Sequence, residues 1–581
     1  MKYFSKILLV ASIPIIVACA DGTYDSGIKF ERPEDVALDD YLNSYNVLNS
    51  YINRTDHSNF KLGIGMSVSD FSNKNIAYSL ACSNFDEVTP SSGLTHASGV
   101  NDDGSLNVNS ISDFIEAAKS KNLSVFGHSL CGYSGQNITY LNSIIAPIPG
   151  TEHPGTTKLA NFENDEIGKT YKLSGSSGTA TVVADPIGKN GNVLYINGAS
   201  YDSYAVIPVT LPEGITLANC KYLVVDIKAP GSGGLYGMGM NLRIGDSGSY
   251  TSYGSPASFG CQDGAWGYGL IRLDMSQLNL TSDQQSLNSF NLVVGSKTGK
   301  ANYYIDNIKM EWATGEPPYY YTLEQKRDTL TKAMDKWIKG VMQASKGYIK
   351  AWDVVDEPMS DNDNYMLRYR KNESDTINKF FWPDYLGDNY VQVIAKGARQ
   401  YFKQFGGDEK DLKLFVNEYG LENPSSMKLS RLLKMINQWE SDGITRIDGI
   451  GLELHLTYSL DPILQNKNEE NIASLFQKLK TTGKLIRISE LDMGLVDQYG
   501  TAITSNDITF EQQLKMSEFY NFIIRKYYEV IPVNQQYGIT LWNAMDKVSG
   551  LWDGTVIRNA TYMGFADGLA NKNTVSVDSE K

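Results

Sequence analysis

A parallel α/β barrel interrupted by an all-β domain is the fold class that the sequence predicts, and three observations support it. Eight short apolar runs are spread along the chain. Amphipathic stretches separate most of them, an alternation that is typical of parallel βα units. One long segment, residues 146–313, lacks helical periodicity and consists of short alternating runs between Gly/Ser turns.

The barrel strands are the eight apolar runs. They are Lys61–Ser69, Phe85–Thr89, Leu123–Leu130, Tyr348–Asp356, Leu412–Glu418, Ile447–Leu456, Leu485–Leu491 and Tyr537–Ala544. The helices between them are Ser110–Lys121, Leu323–Ser345, Tyr390–Phe405, Lys428–Asp442, Glu469–Thr481 and Phe510–Tyr528. This arrangement predicts a TIM (β/α)8 barrel. An open doubly wound sheet is the alternative, and the lack of a Gly-rich phosphate turn favours the barrel.

The segment after the third strand is predicted to be an inserted β-sandwich, jelly-roll-like, over residues 150–315. Its alternating runs are Thr179–Ala184, Val193–Ile196, Tyr204–Val209, Tyr222–Ile227, Gly239–Ile244, Gly269–Leu273, Phe290–Val294 and Tyr303–Met310. The barrel is then made of two parts, residues 41–149 and 316–575, which must come together to complete one fold.

The N-terminus reads as a targeting segment, residues 1–19. Lys2 and Lys6 stand beside an apolar run, Ile7–Ala18, that is too short for a permanent membrane helix and ends just before Cys19. This form is similar to a bacterial lipoprotein signal with Cys19 as the lipidated residue; an ordinary signal peptide is the alternative. We therefore expect an exported outer-membrane lipoprotein, at the cell surface or the periplasmic face, attached to the membrane only through its lipid.

A polar tether is predicted over residues 20–40, and a helix over Asp39–Asn53, where Leu42, Tyr45 and Leu48 recur at three-residue spacing.

Composition excludes several function classes. The 581 residues include 52 Lys plus Arg against 66 Asp plus Glu, and the resulting net charge of −14 disfavours nucleic acid as a partner. Five cysteines in a chain of this length do not make a disulfide framework, and five histidines without ligand spacing disfavour zinc catalysis. No metal or organic cofactor is expected. The oligomeric state cannot be read from these features.

Two carboxylates stand at the ends of barrel strands. Glu357 follows the apolar run of the fourth strand, and Glu490 ends that of the seventh. Side chains at the carboxyl ends of the strands face the mouth of a TIM barrel, where active sites lie. Paired carboxylates are what glycoside hydrolysis needs, one to protonate the leaving oxygen and the other to meet the charge developing at the anomeric carbon.

Four motifs carry a family resemblance. They are Gly127-His128-Ser129-Leu130, Trp352-Asp353-Val354-Val355-Asp356-Glu357, Gly449-Ile450-Gly451-Leu452-Glu453-Leu454-His455 and Ser489-Glu490-Leu491-Asp492. In this order the chain resembles glycoside hydrolase family 10, the endo-β-1,4-xylanases. The insertion and the lipoprotein start are similar to xylanases of gut Bacteroidetes that hold a carbohydrate-binding module inside the catalytic domain.

The resemblance implies roles for individual residues. Glu357 would be the acid/base and Glu490 the nucleophile of a retaining mechanism. His128 and His455 would bind sugar, and His455 would also orient the nucleophile. Trp542 would form an aromatic wall, and Asn417 would support the end of the fifth strand.

Several positions depart from the family pattern. Asp356 replaces an Asn and Glu453 replaces a Gln, although both remain candidate substrate-binding residues. A carboxylate only accepts hydrogen bonds, whereas an amide also donates. Gly132-Tyr133 replaces Trp-His, the loop Ser91–His96 lacks the usual Asn and Lys, and Gly550 stands where a Trp is usual. The chemistry is therefore predicted to be retained, while the specificity stays open.

The sequence as a whole predicts an endo-acting retaining hydrolase that cleaves β-1,4-xylosidic linkages in a plant cell-wall polysaccharide such as xylan. The same chemistry on another β-linked polysaccharide is one alternative, and a surface glycan-binding protein without turnover is another. Candidate aromatic residues for sugar stacking in the insert are Tyr201, Tyr204, Tyr236, Tyr250, Tyr253, Trp266 and Tyr268.

Overall fold

The computed structural model describes most of the chain. The described residues are 40–174, 178–199, 204–228, 238–244, 251–252, 258–259, 264–278, 280–296, 301–423, 426–505 and 507–574. Cys19 with the predicted signal and tether lies outside them, as do the insert candidates Tyr201, Tyr236, Tyr250 and Tyr253. Two compact units are formed; one contains the chain up to Ile145 and from Leu323 onward, and the other is Ala146–Thr322. The predicted limits of the insert, 150 and 315, fall within the second unit.

The first unit begins with three parallel strands. They are β1 (Lys61–Met66), β2 (Glu87–Pro90) and β3 (Ser124–Gly127). The accompanying helices are α1 (Val68–Ser72), α2 (Ile76–Asn84), α3 (His96–Gly99), α4 (Asn109–Lys119) and α5 (Ile138–Ser143).

The predicted helix Asp39–Asn53 forms only in part: residues 40–43 are helical, residues 44–47 are not, and a short 3-10 turn, Leu48–Tyr51, follows. Arg558 donates to the carbonyls of Leu42 and Tyr45, and Asn84 accepts from the Leu48 N–H. Tertiary partners therefore take the backbone groups that a helix would have paired internally.

The described residues of the second unit contain thirteen strands. They are β4 (His153–Ala160), β5 (Thr170–Tyr171), β6 (Leu173–Ser174), β7 (Thr179–Ala184), β8 (Asn192–Ala199), β9 (Tyr204–Thr210), β10 (Cys220–Lys228), β11 (Met238–Ile244), β12 (Thr251–Ser252), β13 (Ser258–Phe259), β14 (Trp266–Asp274), β15 (Ser289–Ser296) and β16 (Ala301–Thr314). The short helix α6 (Ser282–Gln285) precedes β15. All eight predicted runs are strands, and β4 is the longest that the sequence did not suggest.

The strands of this unit form two antiparallel sheets. One has the order β14-β10-β16-β8-β7-β5 with β4 also paired to β16, and the other has the order β12-β11-β15-β9-β6 with β13 paired to β11. Leu223 and Ile305 of the first sheet and Ile207 and Leu292 of the second belong to one buried cluster. That shared cluster is compatible with a sandwich, and the jelly-roll character stays a prediction.

The rest of the first unit supplies five more strands. They are β17 (Ala351–Asp356), β18 (Lys413–Tyr419), β19 (Gly449–Ser459), β20 (Leu485–Val496) and β21 (Gln536–Leu541). Its helices are α7 (Leu323–Ser345), α8 (Pro383–Leu386), α9 (Tyr390–Gln404), α10 (Lys428–Trp439), α11 (Pro462–Leu479), α12 (Phe510–Val530) and α13 (Thr561–Leu569).

Helix α11 begins seven residues before the predicted start at Glu469. The side chain of Asp461 caps it by accepting from the Ile463 N–H, and Pro462 occupies the first turn, where its missing N–H costs nothing.

The eight strands close into a parallel barrel in the order β1-β2-β3-β17-β18-β19-β20-β21. Pairing of Lys61 with Gly538 joins the first strand to the last. This confirms the predicted TIM barrel and the break after its third strand. Within the described residues, no helix combines the length and apolar character needed to cross a membrane.

Candidate active site

Glu357 lies directly after β17, the fourth barrel strand, and adopts a left-handed backbone with φ of 46°. Such a conformation is costly for a residue with a Cβ, so the surroundings must hold it in place. The Glu357 N–H donates to the Asn417 carbonyl at 2.9 Å, and Arg368 Nε donates to the Glu357 carbonyl at 3.1 Å. Both backbone polar groups of Glu357 are therefore fixed, and the half-buried side chain is directed by them.

Glu490 lies in β20, the seventh strand, and is paired with His455 of β19. His455 Nε2 is 3.3 Å from Glu490 Oε2, and its Nδ1 is 2.7 Å from Asp492 Oδ1. Asn543 donates to the other oxygen of Asp492 at 2.6 Å. Hydrogen bonds to Asp492 and Glu490 raise the pKa of His455 to about 10. At neutral pH an imidazolium therefore faces the Glu490 carboxyl.

His128 follows β3 and is held by the fully buried Asp353, with Nδ1 2.9 Å from Asp353 Oδ2. Burial alone would lower the pKa of His128, but the neighbouring Asp356 and Asp353 carboxyls outweigh burial and raise it to about 10. The ring of Trp542 stands edge-on to His128, with 6.4 Å between centroids and 75° between planes. His128 and Trp542 thus line one wall of the barrel mouth.

Asn417 connects two further carboxyls. Its Nδ2 donates to Asp356 Oδ1 at 2.9 Å and to Glu453 Oε1 at 2.7 Å. Burial raises the pKa of Asp356 to about 8, with Glu357 adding to the rise and His128 opposing it. Burial and the charges of Asp356 and Glu490 raise the pKa of Glu453 well above its usual value.

The fold therefore brings every predicted barrel site residue to the same end of the strands. Four positioning residues were not predicted from sequence: Tyr133, Asp353, Arg368 and Asp492. Asp353 and Asp492 lie within the quoted motifs. Asp492 is two residues from Glu490, so the alternation of strand side chains could have identified it, whereas Asp353 is three residues before Asp356 and lacks that spacing. Arg368 lies in a loop eleven residues after Glu357, where sequence offers no signal.

Tyr133 and Arg368 together support Glu357. The Tyr133 hydroxyl makes a side-chain hydrogen bond with Glu357, and burial together with the Glu357 charge raises the pKa of Tyr133. The Arg368 guanidinium lies over the Tyr133 ring, 4.1 Å from its centroid. Arg368 also donates to the Met359 carbonyl at 2.6 Å and pairs with Glu373 at 3.0 Å, both side chains being almost fully buried.

The mouth of the barrel is open to ligands beside His455. A cavity of about 220 Å³ is lined by His455 together with polar groups of Glu422, Thr457, Asn468 and Asn471. A larger cleft, about 1010 Å³, lies at the loops that precede β18 and β19. Those loops are at the amino ends of the strands, away from Glu357 and Glu490, so this cleft is not the candidate active site.

The described residues contain one group of side chains with metal-ligand spacing, Glu453, His455 and Glu490. An imidazolium donates hydrogen bonds and has no free lone pair for a metal. With the pKa of His455 raised to about 10, an imidazolium lies between the Glu453 and Glu490 carboxyls at neutral pH.

A closed parallel barrel with one carboxyl directly after its fourth strand and another within its seventh has the paired acids that glycoside hydrolysis needs. Residues 301–575 match the family model described as "Glycosyl hydrolase family 10". This match covers the second part of the barrel and confirms the resemblance drawn from the four motifs.

Several characterised relatives are xylanases by name. Endo-beta-1,4-xylanase Xyn10C of Cellvibrio japonicus is 24% identical over 249 residues, covering 42% of this chain and 36% of the relative. Endo-1,4-beta-xylanase A of Caldicellulosiruptor saccharolyticus is 28% identical over 228 residues, covering 39% and 58%. Exoglucanase XynX of Acetivibrio thermocellus is 23% identical over 322 residues, covering 48% and 26%. The matched part is less than two thirds of each relative.

Among solved structures, the endo-1,4-beta-xylanase XylE of Penicillium canescens aligns with a TM-score of 0.49 and 15% identity, covering 91% of this chain and 99% of that one. Xylanase B of Clostridium stercorarium aligns with a TM-score of 0.49 and 13% identity, covering 90% and 100%.

Proposed function

We propose that this chain is an endo-acting retaining hydrolase that cleaves β-1,4-xylosidic linkages in xylan. The observation that carries the proposal is the pairing of Glu490 with an imidazolium at 3.3 Å, in the same barrel mouth as the firmly positioned Glu357. A carboxylate in contact with an imidazolium suits attack on the anomeric carbon, and a half-buried carboxyl suits proton donation.

The reaction follows from those two roles. Glu490 forms a bond to the anomeric carbon while Glu357 protonates the departing glycosidic oxygen, which leaves a glycosyl-enzyme ester. Glu357, now ionised, takes a proton from water, and that water breaks the ester with overall retention of configuration. His128, His455 and Trp542 bind the sugar at the point of cleavage.

The test is release of reducing ends from glucuronoxylan, arabinoxylan, mixed-linkage glucan and mannan, beside Glu490→Ala. The matched control is Glu324→Ala, which removes an exposed carboxylate on α7. We expect xylo-oligosaccharides from wild type and control, none from Glu490→Ala, and a β-configured product by NMR immediately after cleavage. Full activity of Glu490→Ala, or an α-configured first product, contradicts the mechanism.

A second substrate class is favoured by two observations. One relative is named an exoglucanase. In addition, Gly132-Tyr133 occupies a position where the family pattern has Trp-His, next to the acid. Cleavage of mixed-linkage glucan with silence on xylan would assign the chain to this class. Silence on the whole panel together with tight oligosaccharide binding would favour a glycan-binding protein without turnover.

We further propose that the insert binds glycan through Tyr268. Its ring is 59% exposed and is stacked on Trp266 at 6.5 Å with 23° between planes. Trp266 is itself buried and donates to Asp185, so we expect it to support the Tyr268 ring and not to contact sugar. Affinity electrophoresis of the full chain in xylan gels tests this: Tyr268→Ala should lose retardation and Tyr222→Ala, on the neighbouring strand β10, should keep it.

Export with lipid attachment at Cys19 remains part of the proposal. Labelled palmitate should be incorporated by the wild-type chain in a bacterial host and not by Cys19→Ser. Equal labelling of the two proteins contradicts this assignment.

A further inference from the structure

Two buried carboxyls share a single amide in the barrel mouth. Asn417 is fully buried and directs both hydrogens of its amide nitrogen at them, one to Asp356 and one to Glu453. Because both oxygens accept from the same nitrogen atom, the distance between them cannot exceed the sum of the two hydrogen-bond lengths. The amide oxygen points the other way, 2.3 Å from the place a Cβ on Gly451 would occupy. Gly451 thus leaves room for the orientation that serves both carboxyls.

The cations near this pair are already engaged elsewhere. His128 Nε2 is 3.9 Å from Asp356, but its Nδ1 is only 2.9 Å from Asp353. His455 Nε2 is 4.0 Å from Glu453, but this ring is closer to Asp492 and Glu490, at 2.7 and 3.3 Å. Across the part of the chain that the structure describes, no Lys or Arg nitrogen lies within 4.0 Å of either carboxyl.

The other charged groups that face the pair are acidic. Glu357 and Asp353 come from β17 and its end, Glu418 from β18 and Glu490 from β20. Two buried carboxylates so close together, with further negative charge on three neighbouring strands, do not both ionise near neutral pH. The raised pKa values of Asp356 and Glu453 have this same electrostatic origin.

We propose that Asp356 and Glu453 form a proton-holding pair that binds a hydroxyl of the sugar at the cleavage point. One carboxyl keeps its proton and donates to the hydroxyl, while the other accepts. The pair thereby offers the donor and acceptor that a sugar hydroxyl uses together, which two carboxylates cannot offer. The sugar part of this inference rests on the proposed function; the held proton does not.

The held proton can be measured without any catalysis. Asp356→Asn/Glu453→Gln removes both acids while keeping their shapes. Capillary electrophoresis of the folded full chains at pH 6 should show a charge difference of one or less between wild type and this double variant, because at least one of the two acids is protonated. A difference of two, meaning that both acids are ionised, overturns the proposal. The control is Asp283→Asn/Glu324→Gln, two exposed acids that should give a difference of two.

The role in sugar binding is measured by pH profiles of kcat/KM. Wild-type kcat/KM should fall about tenfold per pH unit once the pair releases its proton, through a rise in KM. The variants Asp356→Asn and Glu453→Gln keep a fixed amide donor, so their fall should begin at higher pH. Profiles that coincide with wild type overturn the binding role. If no substrate is cleaved, the electrophoresis still shows whether the pair holds a proton. Failure of the proposed function can therefore be distinguished from failure of this inference.

Discussion

Replacement of Arg368 by Met should destabilise the barrel and impair Glu357 in particular. Arg368 makes an ion pair with Glu373, both side chains being less than one tenth exposed, and donates to the carbonyls of Glu357 and Met359. Breaking a buried ion pair by removing one partner costs about 3–5 kcal/mol, because the other charge stays buried without a counterion. We expect the free energy of unfolding of Arg368→Met to fall by that amount in urea.

The double variant Arg368→Met/Glu373→Gln is the matched control for stability. Because this variant also removes the unpaired charge of Glu373, its free energy of unfolding should be about 1–3 kcal/mol higher than that of Arg368→Met. If the free energy of unfolding of Arg368→Met falls by less than about 1 kcal/mol, the pair contributes no more than an exposed surface ion pair does, which would refute the reasoning.

The effect on catalysis should depend on the leaving group. Arg368 holds the left-handed backbone of Glu357, so its loss should displace the acid and not the nucleophile. General acid catalysis contributes about 10²–10⁴-fold, so kcat/KM on xylan should fall by about a hundredfold. With a dinitrophenyl xylobioside, whose leaving group needs no proton, kcat/KM should change little. Equal losses on both substrates would show that Arg368 acts only through stability.

Three further changes have defined outcomes. Asp353→Asn should lower the pKa of His128 by about 1–3 units, measured by NMR titration of labelled histidine, because the imidazolium loses its buried counterion. Gly65→Ala should displace the Trp542 ring, because the new Cβ would lie 2.2 Å from Trp542 Cε3. We expect kcat/KM to fall about ten- to a hundredfold and the tryptophan fluorescence spectrum to change. The pKa of Asp356 is raised from its ordinary value of 3.8 to about 8 in the folded state, so between these values the folded chain holds a proton that the unfolded chain releases. The free energy of unfolding should therefore decrease as the pH rises through that window. Urea titrations of Asp356→Asn should lack this decrease.

Local patterns were sufficient for the elements of the barrel. The apolar runs that end at Asp356 and Leu491 are strands, and Leu323–Ser345 is a helix with the predicted ends. Both kinds of element bury a hydrophobic face with a fixed period, so the signal is contained in a few consecutive residues. Asp39–Asn53 had the same periodicity, and its interruption after residue 43 shows that distant donors such as Arg558 can override it.

The sequence by itself determined the fold class, the strands that position Glu357 and Glu490, and the family resemblance, because these depend on residue types at short, regular spacings. Only the tertiary structure decided which polar side chains pair with one another and which carboxyls keep a proton. The contact of Asn417 with Glu453 spans 36 residues and that of His128 with Asp353 spans 225. Protonation follows from such distances and from burial, neither of which exists until the barrel closes.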